Sequence, residues 1–419
     1  MRILWLKTEL LHPVDKGGKI RTYQMLKELK RDHQITYLTL DDGSADSDAI
    51  EMASEYCDQV VTIPHRVAEK FSSKFYLELA SNAASRLPYA LQKYVSPEMR
   101  RSIEESVARD EYDVLVCDFL APAVNVPEDL SIPTVLFQHN VEAMIWRRHY
   151  EVSSNPLKRA FLRSQWKRMA DYEREACMRF DRVVAVSRED AETMAREYRI
   201  DNVADVPTGV DTAYFTPDGY PEKTGKKVVF TGSMDWLPNE DAINWFTKEV
   251  WPIVREQVEG ASLVVVGRNP FPTLLELAER DKSLTVTGRV PDVRPYMADA
   301  RVFIVPIRIG GGTRLKIYEA MAMRLPVVST VIGAEGLPLR EGEEIILRDA
   351  PGEFADSVIQ LLRNPELAAS IGNCAAETVR ERFGWESATA EFVRQCHMAI
   401  EGVRDGVMTR PESALAVGA

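Results

Sequence analysis

Residues 308–330 read RIGGGTRLKIYEAMAMRLPVVST: three glycines (Gly310, Gly311, Gly312), then Thr313, then a helix-like run carrying Arg314 and Lys316. Cations in the first turn of a helix oppose its partial positive charge, at a cost of about 0.3–1 kcal/mol each. The order becomes favourable if a diphosphate lies between them and the helix. Successive N–H groups of a glycine-rich turn form an anion nest. A helix N-terminus accepts phosphate, and Arg and Lys add charge-assisted hydrogen bonds. Glu319 follows Lys316 by three residues and so shares its face one turn on. A carboxylate there suits a ribose diol, as the acidic residue does in dinucleotide-binding folds. A bare surface pair of Lys316 and Glu319 is worth only about 0.3 kcal/mol and leaves the glycines unexplained.

Four other loops carry residues that can do chemistry. HPVDKGGKIRTYQML sets Gly17 and Gly18 between a strand and an amphipathic helix, where backbone N–H groups can meet an anion; a tight turn is the equal alternative. The dinucleotide fingerprint G-x-G-x-x-G is absent. In FQHNVEAMIW, His139 and Asn140 fall where a strand gives way to a helix. Asn140 as a helix N-cap with a loop histidine beside it is the plain explanation; the strand-end position favours a functional His139. AVSRED reads as a helix capped by Ser187, with Glu189 and Asp190 in its first turn. FTGSMDWLPNEDAINWF places Gly232 and Ser233 at another strand end, with Pro238, Glu240 and Asp241 opening a helix. Trp236, Trp245 and Phe246 there read as packing. VVVGR and VTGRV end two further strands with a glycine followed by Arg268 or by Arg289 and Val290; Gly288 precedes the latter pair.

These loops need a repeating frame of strand, loop and helix. RILWLKT, QITYLTL, VVTI, DVLVC, PTVLF and RVVAVS are strand candidates in the first half; KVVFTG, SLVVVG, LTVTG, RVFIVP and PVVST follow in the second. Several are unbroken apolar runs, as parallel strands covered on both faces require. The expected class is α/β, doubly wound, in two Rossmann-like domains. The Pro-, Gly- and Thr-rich stretch 205–227 marks the boundary. Residues 1–207 then form an N-terminal Rossmann-like domain and 208–384 a C-terminal Rossmann-like one. Residues 385–404 form a helix packing back toward the first domain, and 405–419 a frayed tail. Ligands of such sheets bind beyond the C-terminal strand ends, so the expected site is a cleft between the domains.

Bulk properties narrow the classes further. A chain of 419 residues with 45% hydrophobic and 28% charged residues is that of a soluble protein of two domains or more. A net charge of −12 argues against nucleic acid as a partner. Five cysteines without a CxxC pair suggest neither disulfides nor a zinc site, and fit a reducing compartment. MRILWLKTEL is a poor signal peptide, and no apolar run approaches the ~20 residues of a membrane span. The expected location is cytoplasmic. Residues 144–170 carry Arg147, Arg148, Lys158, Arg159, Arg163, Lys167 and Arg168 against Glu151, interleaved with Trp146, Phe161, Leu162 and Trp166. That pattern reads either as a peripheral contact with the inner face of a membrane or as a solvated helix face.

Taken together, FTGSMDW, VVVGR, VTGRVPDVRPYMADARVFIVP and GGGTRLKIYEAMAMRLPVVSTVIGAEGL, with the link VPTGVDTAYFTPD, resemble the GT-B fold nucleotide-sugar glycosyltransferases of family 4. The resemblance covers nearly the whole chain. It implies retaining transfer of a sugar from a nucleoside diphosphate, UDP among the candidates, to an acceptor hydroxyl of a sugar, a lipid-linked sugar or a small molecule. In the family's terms Gly17 and Gly18 lie near the diphosphate, His139 near the transferring sugar, Gly288, Arg289 and Val290 at the base, and Glu319 on the ribose. Two departures stand out. The family often has a glutamate where this chain has Gly311, and an Arg and a Lys where it has Ser233 and, roughly, Asn239. Charge neutralisation then falls to Arg314 and Lys316, with no metal or other cofactor. A nucleotide-sugar epimerase of the same fold, or a non-catalytic nucleotide-sugar-binding partner of a polysaccharide assembly complex, are the alternatives.

Overall fold

A computed structural model describes residues 1–404 apart from 15–16, 44, 46, 70, 110, 154, 222, 224 and 310–314. The chain divides into two compact units, Met1–Pro207 with Ala388–Ala419, and Thr208–Ser387. The change of unit at the C-terminal end falls inside the last helix, Trp385–Arg404, rather than at its start.

Unit 1 holds seven strands: β1 Arg2–Lys7, β2 Gln34–Asp41, β3 Gln59–Pro64, β4 Val114–Asp118, β5 Thr134–Gln138, β6 Arg182–Ala185 and β7 Val203–Asp205. They pair in parallel in the order β3-β2-β1-β4-β5-β6-β7. Unit 2 holds β8 Lys227–Thr231, β9 Ser262–Val266, β10 Leu284–Val286, β11 Val302–Val305, β12 Val327–Ser329 and β13 Ile346–Leu347. Their order is β10-β9-β8-β11-β12-β13, again parallel. Each sheet reverses its strand order once, between β1 and β4 and between β8 and β11. At such a switch point the loops on the two sides diverge and leave a crevice.

The central strands are sealed on both faces: Ile3, Leu4, Trp5 and Leu6 of β1, and all of β4 and β5, are buried. Such strands need apolar residues at every position, which is why their runs are unbroken. β7 and β13, of three and two residues, are not among the strand candidates.

The last helix completes the core of unit 1. Phe392 is fully buried, 5.6 Å from the Trp5 ring and 5.0 Å from that of Phe137. Gln395 accepts from Arg182 Nε at 2.8 Å, and Thr389 Oγ1 donates to Met25 Sδ at 3.3 Å. In unit 2 the entering and leaving strands of chain run side by side. The Val210 N–H donates to the Phe383 carbonyl at 2.8 Å, and a Cβ on Gly209 would lie 2.8 Å from Trp385 Cα.

Phe392→Ala should destabilise unit 1 by about 3–5 kcal/mol, the range for a large aromatic lost from a core. The check is the urea midpoint of the transition that reports Trp5; an unmoved midpoint would exclude this helix from the core of unit 1.

Candidate functional site

In unit 1 three strand ends converge on one carboxylate. Asp118, the last residue of β4, is fully buried. Its Oδ2 accepts from Lys7 Nζ at 2.7 Å, Thr22 Oγ1 at 2.6 Å and Trp5 Nε1 at 3.1 Å. Its Oδ1 lies 2.7 Å from His139 Nε2. Burial alone would raise the Asp118 pKa, but Lys7 and then His139 outweigh it and hold the carboxyl far below its ordinary range. Burial lowers the Lys7 pKa, opposed by Asp118, and pushes that of His139 down to about 3. The imidazole is therefore neutral at physiological pH. An ionised carboxylate at 2.7 Å requires the proton on Nε2. That tautomer leaves the Nδ1 lone pair as a buried acceptor site without a partner among the described residues.

Phe119 wedges this group in place. Its ring stacks on His139 with centroids 3.8 Å apart, and Lys7 Nζ sits 4.3 Å from its centroid. The residue adopts φ +75°, a left-handed conformation that costs a bulky side chain about 1–2 kcal/mol; strain of this kind persists where surrounding contacts hold it. A Cβ on Gly18 would lie 2.9 Å from Phe119 Cζ, whereas nothing lies within 4 Å of one on Gly17. The Gly18 position is thus demanded by packing, while the Gly17 backbone has open space beside it.

Asn140 is not the cap of the helix Glu142–Val152. Its N-cap position is Val141, which offers no side-chain acceptor. Ser187 does cap the helix Arg188–Tyr198, accepting from the Asp190 N–H.

In unit 2 the glycines at three strand ends meet. The Gly232 N–H donates to the Val266 carbonyl at 2.9 Å, and the Gly267 N–H to that of Gly288 at 3.2 Å. A Cβ on Gly267 would fall 1.7 Å from the Gly232 carbonyl oxygen; no side chain fits there. Gly288 has φ +68°. Arg289, which follows, is exposed, and Val290 packs into the core beneath.

Lys316 lies in the helix Leu315–Ala322 and reaches this glycine edge. Its Nζ donates to Asn239 Oδ1 at 3.1 Å and sits 4.3 Å from the Phe230 centroid. A Cβ on Gly232 would lie 2.7 Å from that ammonium nitrogen. Asn239 in turn donates through Nδ2 to the Ser233 carbonyl at 2.7 Å. Arg268 Nε donates to Ser233 Oγ at 2.8 Å. Gly232, Ser233, Arg268 and Lys316 thus form one group, with Asn239 at its centre. Glu319 is half-buried; burial pushes its carboxyl up to about 7, with Lys316 opposing. Arg308 makes a two-pronged pair with Asp241, at 2.6 and 3.0 Å, which ties the chain ahead of the glycine loop to the helix Leu237–Trp245. Gly310, Gly311, Gly312, Thr313 and Arg314 lie outside the described residues. Of the aromatics read as packing, Trp245 and Phe246 are buried but Trp236 is 40% exposed.

The sequence reading missed Lys7, Asp118, Phe119 and the need for Gly267. A signal existed for two of them: Lys7 and Asp118 are charges that end otherwise apolar strands, RILWLK and VLVCD. Among the described residues no group of three His, Cys, Asp or Glu side chains gathers as a metal site would need, and no helix is long and apolar enough to cross a membrane. The basic stretch 144–170 is split between the helices Glu142–Val152 and Pro156–Arg179. Trp146 and Trp166 pack against the core and Leu162 is buried, so these are not an insertion face. Arg147 pairs with Glu151, and Arg168 donates to the Asn82 carbonyl.

Comparison with known proteins agrees with this architecture. The family model described as Glycosyltransferase Family 4 matches residues 16–214, and that described as Glycosyl transferases group 1 matches 225–364. A GDP-mannose-dependent alpha-(1-6)-phosphatidylinositol monomannoside mannosyltransferase of Mycobacterium tuberculosis is 26% identical over 208 residues, 45% of this chain and 54% of that protein. The match thus spans about half the length of that relative. Sucrose-phosphate synthase of Thermosynechococcus elongatus superposes with a TM-score of 0.67 at 16% identity, covering 96% of this chain and 99% of its own. HepE of Anabaena, solved in complex with UDP, gives 0.66 at 14% identity, covering 95% and 100%. Two parallel α/β sheets with these strand ends, and both family models in chain order, mean that the chain belongs to glycosyltransferase family 4, the group 1 glycosyl transferases, and has the GT-B fold.

Proposed function

We propose that the protein moves a sugar, with retention, from a nucleoside-diphosphate sugar to an acceptor hydroxyl in glycolipid or polysaccharide synthesis. The observation that carries this reading is the Lys316 ammonium held by Asn239 beside Gly232. Where the family often supplies a lysine from the helix after β8, this chain has Asn239, and Lys316 brings the charge from another helix to the same glycine edge. The leaving diphosphate gains negative charge as the sugar bond breaks, and a fixed cation aimed at it lowers the barrier. Arg314 adds a second cation on this reading, Glu319 takes the ribose, and neutral His139 serves the transferring sugar as a hydrogen-bond partner. The mannosyltransferase relative uses GDP-mannose and HepE binds UDP, so the base stays a matter for test. A thermal-shift panel of UDP-, GDP- and ADP-sugars identifies it, because a ligand of the folded state raises the melting point.

The exposed start of the helix Pro156–Arg179 favours a second partner, an anionic membrane surface. Leu157 is 85% and Phe161 40% exposed, with exposed Lys158, Arg159, Arg163 and Lys167 around them. This narrows the membrane-contact reading to the first two turns of that helix.

Three outcomes test these two readings. Arg314→Ala with Lys316→Ala should lower donor turnover by a factor of about 10²–10³ or more with the fold intact; wild-type turnover would end the reading. A Cβ from Gly232→Ala would lie 2.7 Å from Lys316 Nζ and 2.8 Å from Asn239 Nδ2, so it should displace the ammonium and slow turnover roughly tenfold in a protein that still folds; undiminished turnover would count against the reading. Leu157→Asp with Phe161→Asp should abolish sedimentation with phosphatidylglycerol vesicles, and undiminished sedimentation would dismiss the second partner.

A further inference from the structure

The turn that carries His139 is held from an unexpected place. The helix Glu142–Val152 begins without a side-chain cap of its own, which would leave its first N–H groups unsatisfied. Glu173, from the middle of the helix Pro156–Arg179 and fully buried, supplies the missing acceptors. Its Oε1 accepts from the Glu142 N–H at 2.9 Å and from Gln138 Nε2 at 3.2 Å. Its Oε2 accepts from the Ala143 N–H at 2.8 Å and from Tyr198 Oη at 2.6 Å. Gln138 precedes His139 directly, and Glu142 follows it by three residues. One carboxylate therefore grips the chain on both sides of the imidazole.

We propose that Glu173 is the positioning residue for His139, fixing the turn that carries the imidazole against Asp118 and Phe119. The four donors match the lone pairs of a carboxylate. Protonation turns one accepting oxygen of the carboxyl into a donor, so one of the four bonds must break or, at the Tyr198 hydroxyl, reverse its direction. Burial pushes this carboxyl up to about 7 in spite of the Tyr198 hydroxyl and the two backbone donors, and nearby Glu142 adds to the rise. The other titratable groups facing it are Tyr198, from the helix Arg188–Tyr198, and Cys177 on its own helix, both pushed up by burial and remaining neutral. The grip is thus complete above neutral pH and loosens as pH falls through about 7, whereas His139, lowered to about 3, does not itself titrate there.

The catalytic weight of this inference rests on the transferase reading; the coupling of Glu173 to His139 does not. The protein has six histidines, so labelled histidine gives a resolvable NMR spectrum, with His139 assigned through its loss in His139→Gln. Between about pH 5.5 and 8.5, spanning the Glu173 transition, the His139 signals should move with a midpoint near 7. That movement should vanish in Glu173→Gln and persist in Glu319→Gln. If Glu173→Gln does not fold, Tyr198→Phe decides: removing a donor to the charged form should raise the midpoint. A flat His139 signal in the wild type, or a midpoint unmoved by Tyr198→Phe, overturns the proposal. Donor turnover in Glu173→Gln should fall roughly tenfold or more with donor affinity unchanged; unchanged turnover would overturn the positioning role. A wild-type protein without any turnover would instead refute the transferase reading, and the titration would still decide the coupling.

Discussion

An ammonium group at the start of a helix works against the dipole of that helix, and Lys316 is such a group. Its Nζ is steadied by the Asn239 carboxamide oxygen and the face of Phe230, and it has room to be there because residue 232 lacks a Cβ. Three elements of unit 2 must cooperate for this: the end of β8, the helix Leu237–Trp245 and the helix Leu315–Ala322. Gly267 and Gly288 let the neighbouring strand ends close up against Gly232. On the proposed reading, an anion at this edge would offset the unfavourable term between the ammonium and the helix dipole.

Unit 1 solves an opposite problem. It buries a carboxylate, Asp118, and surrounds it with donors from β1, from the helix Gly17–Leu29 and from the residue after β5. A buried charge is tolerable only when paired and hydrogen-bonded. The consequence for chemistry is a histidine with one nitrogen committed to Asp118 and the other left with its lone pair. A neutral imidazole of fixed tautomer accepts a hydrogen bond in a set direction and does not act as an acid at neutral pH. Glu173 extends the same logic one layer outward, through the turn on which His139 rides.

How much of this was legible in the sequence depended on distance along the chain. The glycine at the end of β8, His139 after β5 and the Lys316–Glu319 spacing are local features, readable from strand-then-helix patterns. Partners supplied from afar were not. Asp118 stands far from Lys7 in the chain, and only the parallel pairing of β1 with β4 brings their strand ends together. Asn140 looked like a helix cap because its type and position fit one; a carboxylate from another helix took that task instead. Trp146 and Trp166 looked like membrane aromatics because charge interleaving does not show which face of a helix meets the core. Trp236 went the other way, standing exposed where packing was expected.

The central claim is that Lys316 and the glycine edge of unit 2 hold a diphosphate. A crystal structure of the protein grown with UDP, GDP or ADP tests it most directly. Phosphate oxygens should appear within hydrogen-bond distance of Lys316 Nζ, about 2.7–3.1 Å, beside the Gly232 backbone. A nucleotide bound with its phosphates away from Lys316, while the lysine keeps only its protein partners, would contradict it.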